Sequence, residues 1–169
     1  MIKRVRTKIG DVFCVKVSEH EKRYFQLVAY DLTQLNSDVI RVFKKVYDMD
    51  VNPSLSDIVN DEVDFYAHCV TKFGPKLSLW DKVGYISDVG DTNLILFRDT
   101  EDCTIKLGDE MVKVSHNWYV WHINDDDFTD VGDLKGEYRK ADIGLVVNPY
   151  DIVDRIKTGK YQFVYPDFE

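Results

Sequence analysis

Two runs of alternating residues, joined by a short polar turn, constrain this chain more than any other feature. The first is Ile9-Gly10-Asp11-Val12-Phe13-Cys14-Val15-Lys16-Val17 and the second is Lys22-Arg23-Tyr24-Phe25-Gln26-Leu27-Val28-Ala29-Tyr30. Side chains two apart share one face of a strand. Phe13, Val15 and Val17 therefore lie with Phe25, Leu27 and Ala29 on one apolar face. The opposite face mixes polar and aromatic groups, the pattern of a sheet with one face in water. Ser18-Glu19-His20-Glu21 contains no apolar residue and reads as the turn, and Gly10-Asp11 signals the strand start. The expectation is a β-hairpin.

The rest of the chain continues in short segments. Asp31 to Asn36 is a polar connection. Asp38 to Val46 is rich in branched residues and reads as a strand, although Val39, Val42, Phe43 and Val46 also fit a helical face. Ser54 or Ser56 can cap a short helix running to Val59. Val63 to Lys72 alternates as a strand until Gly74-Pro75, and Leu77 to Val83 reads as a loose turn. Leu94 to Arg98 is a nearly continuous apolar run, expected to be a strand buried on both faces. Gly108-Asp109 marks a turn. Trp118 to Ile123 is a further strand, ended by Asp125-Asp126-Asp127, and Asp130 to Lys140 reads as a flexible loop. Ile143 to Val147 and Tyr161 to Tyr165 read as strands. Between them lies one clear helix, residues 149–158. It has Asn148 at the cap, Pro149 at the first helical position, Gly159 after the end and Ile152, Val153 and Ile156 as its stripe. Short strands separated by turn signals predict a mainly β (α+β) fold. The expected form is a strongly bent antiparallel sheet or a partly open β-barrel with one C-terminal helix. Residues 1–169 are expected to form a single domain, and a chain of 169 residues buries roughly 70% of its unfolded surface.

Composition narrows function by exclusion. The net charge of −8 argues against contact with a nucleic-acid backbone, which calls for lysine and arginine. It suits a basic partner steered toward an acidic surface, but on charge alone an ordinary soluble acidic protein is the better reading. Cys14, Cys69 and Cys103 form no disulfide pattern, and Cys14 and Cys69 read as buried hydrophobes. The basic start, Lys3 to Lys8, is followed by no apolar stretch, so the reading is cytoplasmic, with no membrane segment.

No motif names a reaction. His20, His68, His116 and His122 form no His-x-x-x-His pair, and no Cys-x-x-Cys occurs, so no metal is expected. His116 and His122 would stand ~20 Å apart along one strand. Asp125 to Asp133 resembles a calcium loop in composition, yet its sixth position is Asp130 and its twelfth Gly136, against the Gly and Glu an EF-hand uses. No nucleophile-and-base pair or phosphate loop is present, so no catalytic residue or cofactor is assigned. Trp118-Tyr119-Val120-Trp121 beside Asp125, Asp126 and Asp127 has the makings of an acidic, aromatic patch for a partner. Trp118 and Trp121 point to opposite sides of a strand, so at least one is expected in the core.

The run Ile9 to Phe13, a hairpin of this length and Tyr24-Phe25-Gln26-Leu27 in its second strand resemble the immunity protein 26 family. Trp80-Asp81-Lys82-Val83-Gly84 and Leu94-Ile95-Leu96-Phe97-Arg98 share that look. The resemblance covers residues 9 to 100 and extends loosely beyond them. Ser18 to Glu21 stands where the family usually has a Gly-rich turn. The resemblance implies a bacterial protein that neutralises a cognate protein toxin by contact and without catalysis. Two other readings stand beside it: an enzyme using His68, Cys69 or His122 in a barrel cleft, and a non-catalytic adaptor barrel.

Overall fold

The computed structural model describes residues 4–103 and 110–169. Its strands are β1 (Asp11–Lys16), β2 (Glu21–Asp31), β3 (Ser37–Phe43), β4 (Tyr47–Asp48), β5 (Val63–His68), β6 (Asp81–Tyr85), β7 (Leu96–Thr100), β8 (Trp118–His122), β9 (Thr129–Gly132) and β10 (Asp142–Ile143). Its α-helices are α1 (Leu55–Val59), α2 (Phe73–Lys76) and α3 (Pro149–Thr158). The fold is mainly β, as expected.

The hairpin forms in the register that its alternation demands, with Phe13 opposite Phe25 and Cys14 opposite Tyr24. Phe13 and Phe25 stack at 5.0 Å, and Trp80 meets Phe25 edge-on at 5.1 Å. This face packs with Ile40, Val42, Phe65 and Cys69 against Ile152, Val153 and Ile156 of α3. The helix is capped as its sequence predicts. The Asn148 side chain accepts from the Tyr150 N–H, and Gly159 ends the helix at φ 84°.

The other face of the hairpin is not wet. Val12 and Tyr24 are covered by Phe43, Tyr47 and the Ile58 and Val59 of α1. Gln26 on that face is fully buried. Its amide donates to Ile86 O and Asp88 O at 3.0 Å each and accepts from Arg41 Nε at 2.9 Å. Each polar group thus meets a loop carbonyl or another side chain instead of water.

Two open sheets result, with strand orders β5-β3-β2-β1-β6 and β10-β7-β8-β9, and β4 pairing beside the start of β2. All neighbours are antiparallel except β10 and β7. Neither sheet closes into a barrel. The sheets meet instead across Val28, Val39, Ile95, Phe97 and Trp121, so one side-chain layer replaces the strand pairing that closure requires.

Several local expectations are corrected. Residues 81–85 form edge strand β6, where a loose turn is expected. Asp81, Lys82, Val83 and Tyr85 are exposed, so no alternation announces the strand, and backbone pairing with β1 holds it. Leu94 belongs to a 3₁₀ turn and is exposed, so the run from Leu94 to Arg98 is not buried throughout. The stretch 130–140 holds most of β9 and a 3₁₀ turn at Gly136–Lys140. The strand expected over Ile143–Val147 shrinks to β10, extended by a single bridge from Val146 to His68. Tyr161 to Tyr165 is not a strand. Its aromatic rings dock instead, Tyr161 stacking on Phe163 at 4.7 Å and lying edge-on to Phe65 at 6.2 Å. The turn expected at Gly108-Asp109 lies outside the described residues. Among the described residues no helix is long and apolar enough to cross a membrane.

Candidate partner-binding site

Trp118 and Trp121 occupy opposite faces of β8, and both faces are covered. Each tryptophan is 1% exposed. Trp118 packs with Val120, Leu134 and Ala141, and Trp121 lies in the layer between the sheets. Neither indole meets solvent, so the expectation that the tryptophans touch a partner is corrected: the strand is internal to its sheet and both of its sides are walled. Asp125 is half-buried, and Asp126 and Asp127 are exposed in the turn between β8 and β9.

That turn is held from below by a buried polar group at the joint of the two sheets. Asp31, the last residue of β2, and His68, the last of β5, are fully buried, with His68 Nε2 2.8 Å from Asp31 Oδ2. The Trp121 Nε1–H donates to the same oxygen at 3.1 Å, and the Asn124 N–H donates to Asp31 Oδ1 at 3.3 Å. Burial raises the Asp31 pKa, but the hydrogen bonds from His68, Trp121 and Asn124 together outweigh it, so its carboxyl sits below the usual range. For His68, burial wins over the attraction of Asp31 and lowers the pKa. The pair is therefore a carboxylate and a neutral imidazole, in which Nε2–H donates. His68 Nδ1 is buried without a partner among the described residues, and the ring packs on Phe97 at 4.1 Å.

Upward from this base, contacts fix the acidic turn. Asn124 adopts φ 64°, and its side-chain oxygen accepts from the Leu32 N–H at 2.9 Å. The Gln34 amide donates to Asp125 O at 3.0 Å and Asp126 O at 2.9 Å. Asp125 turns its own carboxylate back onto the His122 N–H at 2.7 Å. Only Asp126 and Asp127 carry charges left free to face outward, and two apolar side chains flank them. Leu32 is 66% exposed. Phe128 is 43% exposed and rests on Tyr119 at 4.6 Å and Trp121 at 4.9 Å. The result is a rigid acidic turn beside two exposed apolar groups.

Sequence reasoning located the turn but missed Leu32, Gln34 and Phe128. Leu32, one of two leucines in the otherwise polar run from Asp31 to Asn36, was the available signal. Asp31 and His68 carried no signal, because 37 residues separate them. The enzyme reading gains no assembled group. His68 and Cys69 are both fully buried, Cys69 with its thiol pKa pushed far up by burial, and they face different packing layers. His122 is exposed, with Nδ1 3.0 Å from Ile95 O. Among the described residues no cluster of His, Cys, Asp or Glu could hold a metal ion. Comparison with family models, curated proteins and solved structures finds no match for this chain.

Proposed function

We propose that this chain is a binding protein of the immunity type. It neutralises a cognate, basic bacterial toxin in the cytoplasm by protein contact and performs no chemistry of its own. The reading involves neither nucleic acid nor membrane. The observation that carries it is the acidic turn Asp125-Asp126-Asp127, held by Gln34 and Asn124 and flanked by exposed Leu32 and Phe128. Apolar anchors with a charged rim suit a protein interface. A preorganised turn forfeits little conformational entropy on binding. The net charge of −8 adds long-range steering of a basic partner. The resemblance in residues 9 to 100 supplies the immunity class. In this reading Trp121 acts as a pedestal that fixes Asp31 and Phe128, and Trp118 belongs to the core.

The test is a pull-down from a lysate of the source bacterium, run in parallel with the triple variant Asp125→Lys, Asp126→Lys, Asp127→Lys. The native chain should retain one stoichiometric partner with a basic C-terminal domain, released by a few hundred millimolar salt, and the variant should lose it. Equal retention by the variant would remove the turn from the interface. Absence of any stoichiometric partner would overturn the reading.

A further inference from the structure

A second feature lies away from the acidic turn. A cavity of about 300 Å³ opens where β7, β10 and the C-terminal end of α3 meet the aromatic tail segment. Its lining includes Arg98, Asp142, Arg155, Lys160, Tyr161 and Asp167. Arg98 donates through Nη1 to Ala141 O, while its buried Nε finds no acceptor among the described residues. Its guanidinium lies over Trp118 at 5.4 Å and Phe168 at 5.0 Å. Arg155 is held between the rings of Phe65 at 3.8 Å and Tyr161 at 4.7 Å. Its Nη2 stands 3.6 Å from Asp142 Oδ1, an ion pair too long for a good hydrogen bond. The Tyr161 hydroxyl is also buried, and among the described residues it makes no hydrogen bond of good geometry.

The cavity wall thus carries three cations and several N–H donors against two carboxylates, one of which, Asp142, already accepts from the Tyr66 N–H at 3.0 Å. Guanidinium groups fixed by stacking, with N–H donors left over, match the geometry of an oxyanion. A buried donor without an acceptor, such as Arg98 Nε, is costly, and an anion in the cavity would relieve that cost. We infer that this cavity binds a small oxyanion, the phosphoryl or carboxylate group of a small molecule, with Arg155 and Lys160 as principal contacts and Arg98 as the deeper charge.

Proton uptake by Asp142 should strengthen this binding. Burial raises its carboxyl pKa to about 6, against the pull of Arg155 and Arg98. The groups around it are Arg98 on β7, Arg155 on α3, Asp64 and Tyr66 on β5, and His122 of β8, which shares a neighbouring cavity with it. Protonation removes a competing negative charge beside the anion.

The experiment is an amide NMR titration of the full chain with sulfate and, separately, with acetate, at pH 8 and pH 5.5. Sulfate keeps its charge across this range, and acetate stays mostly ionised at pH 5.5. Sulfate or acetate should shift resonances around Arg98, Arg155 and Lys160, with binding severalfold tighter at pH 5.5. Sulfate alone would indicate a phosphoryl ligand, and acetate alone a carboxylate. Arg155→Met, which keeps the stem between the two rings, should weaken binding about tenfold, equivalent to about 1.4 kcal/mol. Lys160→Met at the exposed rim gives a second reading that does not disturb the core. Asp142→Asn should abolish the pH dependence; a surviving dependence would show that Asp142 is not its source. No localised shift from either anion at tens of millimolar, or native-strength binding by both Arg155→Met and Lys160→Met, would overturn the inference.

Discussion

His68 shows how one buried residue sets a pH response. Its ordinary pKa is 6.5, and burial lowers it in the folded chain. As pH falls through 6.5 the unfolded chain takes up a proton that the folded imidazole refuses. The unfolded state then binds more protons, so stability falls with pH in that window until the lower folded pKa is reached. Asp142 works in the opposite direction, because its raised pKa lets the folded state bind a proton first, from about pH 6 downward. Comparing the native chain with His68→Gln cancels the Asp142 contribution. Urea unfolding between pH 7.5 and 5.5 should show a steeper loss of stability in the native chain than in His68→Gln. Equal slopes would mean that the imidazole titrates normally in the folded state.

The element that matters most to the candidate interface is β8. It carries Trp118 toward one layer and Trp121 toward the other, and its turn presents the acidic residues. Trp121 is seated against Gly144, just after β10, where an added Cβ would stand 2.0 Å from its ring. Gly144→Ala must push the indole off its seat, and overpacking of this kind costs about 2 kcal/mol. The shift should also loosen Phe128 and the Asp31 hydrogen bond. Tryptophan fluorescence and thermal unfolding would register the change, and an unchanged melting temperature and spectrum would show that the joint tolerates the methyl group. The 3.6-residue stripe and caps of α3 were legible because they are local. Strand β6 was not, since its side chains are exposed and only backbone pairing with β1 defines it.

Across the whole molecule, one cation ties distant segments together. Arg23, nearly buried in β2, donates to Phe43 O through Nε at 3.1 Å and Nη2 at 2.7 Å, to Ile156 O at 2.9 Å and to Asp64 at 2.7 Å. It therefore joins β2, β3, β5 and α3 at once. Arg23→Met leaves three carbonyl and carboxylate groups without their donor and should destabilise the fold by about 3 kcal/mol in chemical denaturation. A loss below about 1 kcal/mol would indicate that water replaces the guanidinium without strain. The two sheets, their joint and the cavity beside α3 all depend on such long-range ties. None has a local signature in the chain.

What the chain determined by itself is what short-range periodicity and capping encode. These are the hairpin at residues 11–31, the strand character of residues 63–68, the helix at 149–158, and the acidic turn after β8, whereas the spacing in residues 38–46 fitted strand and helix alike. Two-residue and 3.6-residue repeats report which side of an element turns inward, because the side chains involved are close in sequence. Tertiary structure alone decided that both faces of the hairpin are covered, that two open sheets form where a barrel was one expectation, and that both tryptophans are core. It also brought Asp31 to His68, placed Leu32 beside Asn124, and gathered Arg98, Asp142 and Arg155 around one cavity. The physical reason is common to all of these. Burial and charge pairing depend on which surfaces meet, and surfaces contributed by residues tens of positions apart meet only once the chain has folded.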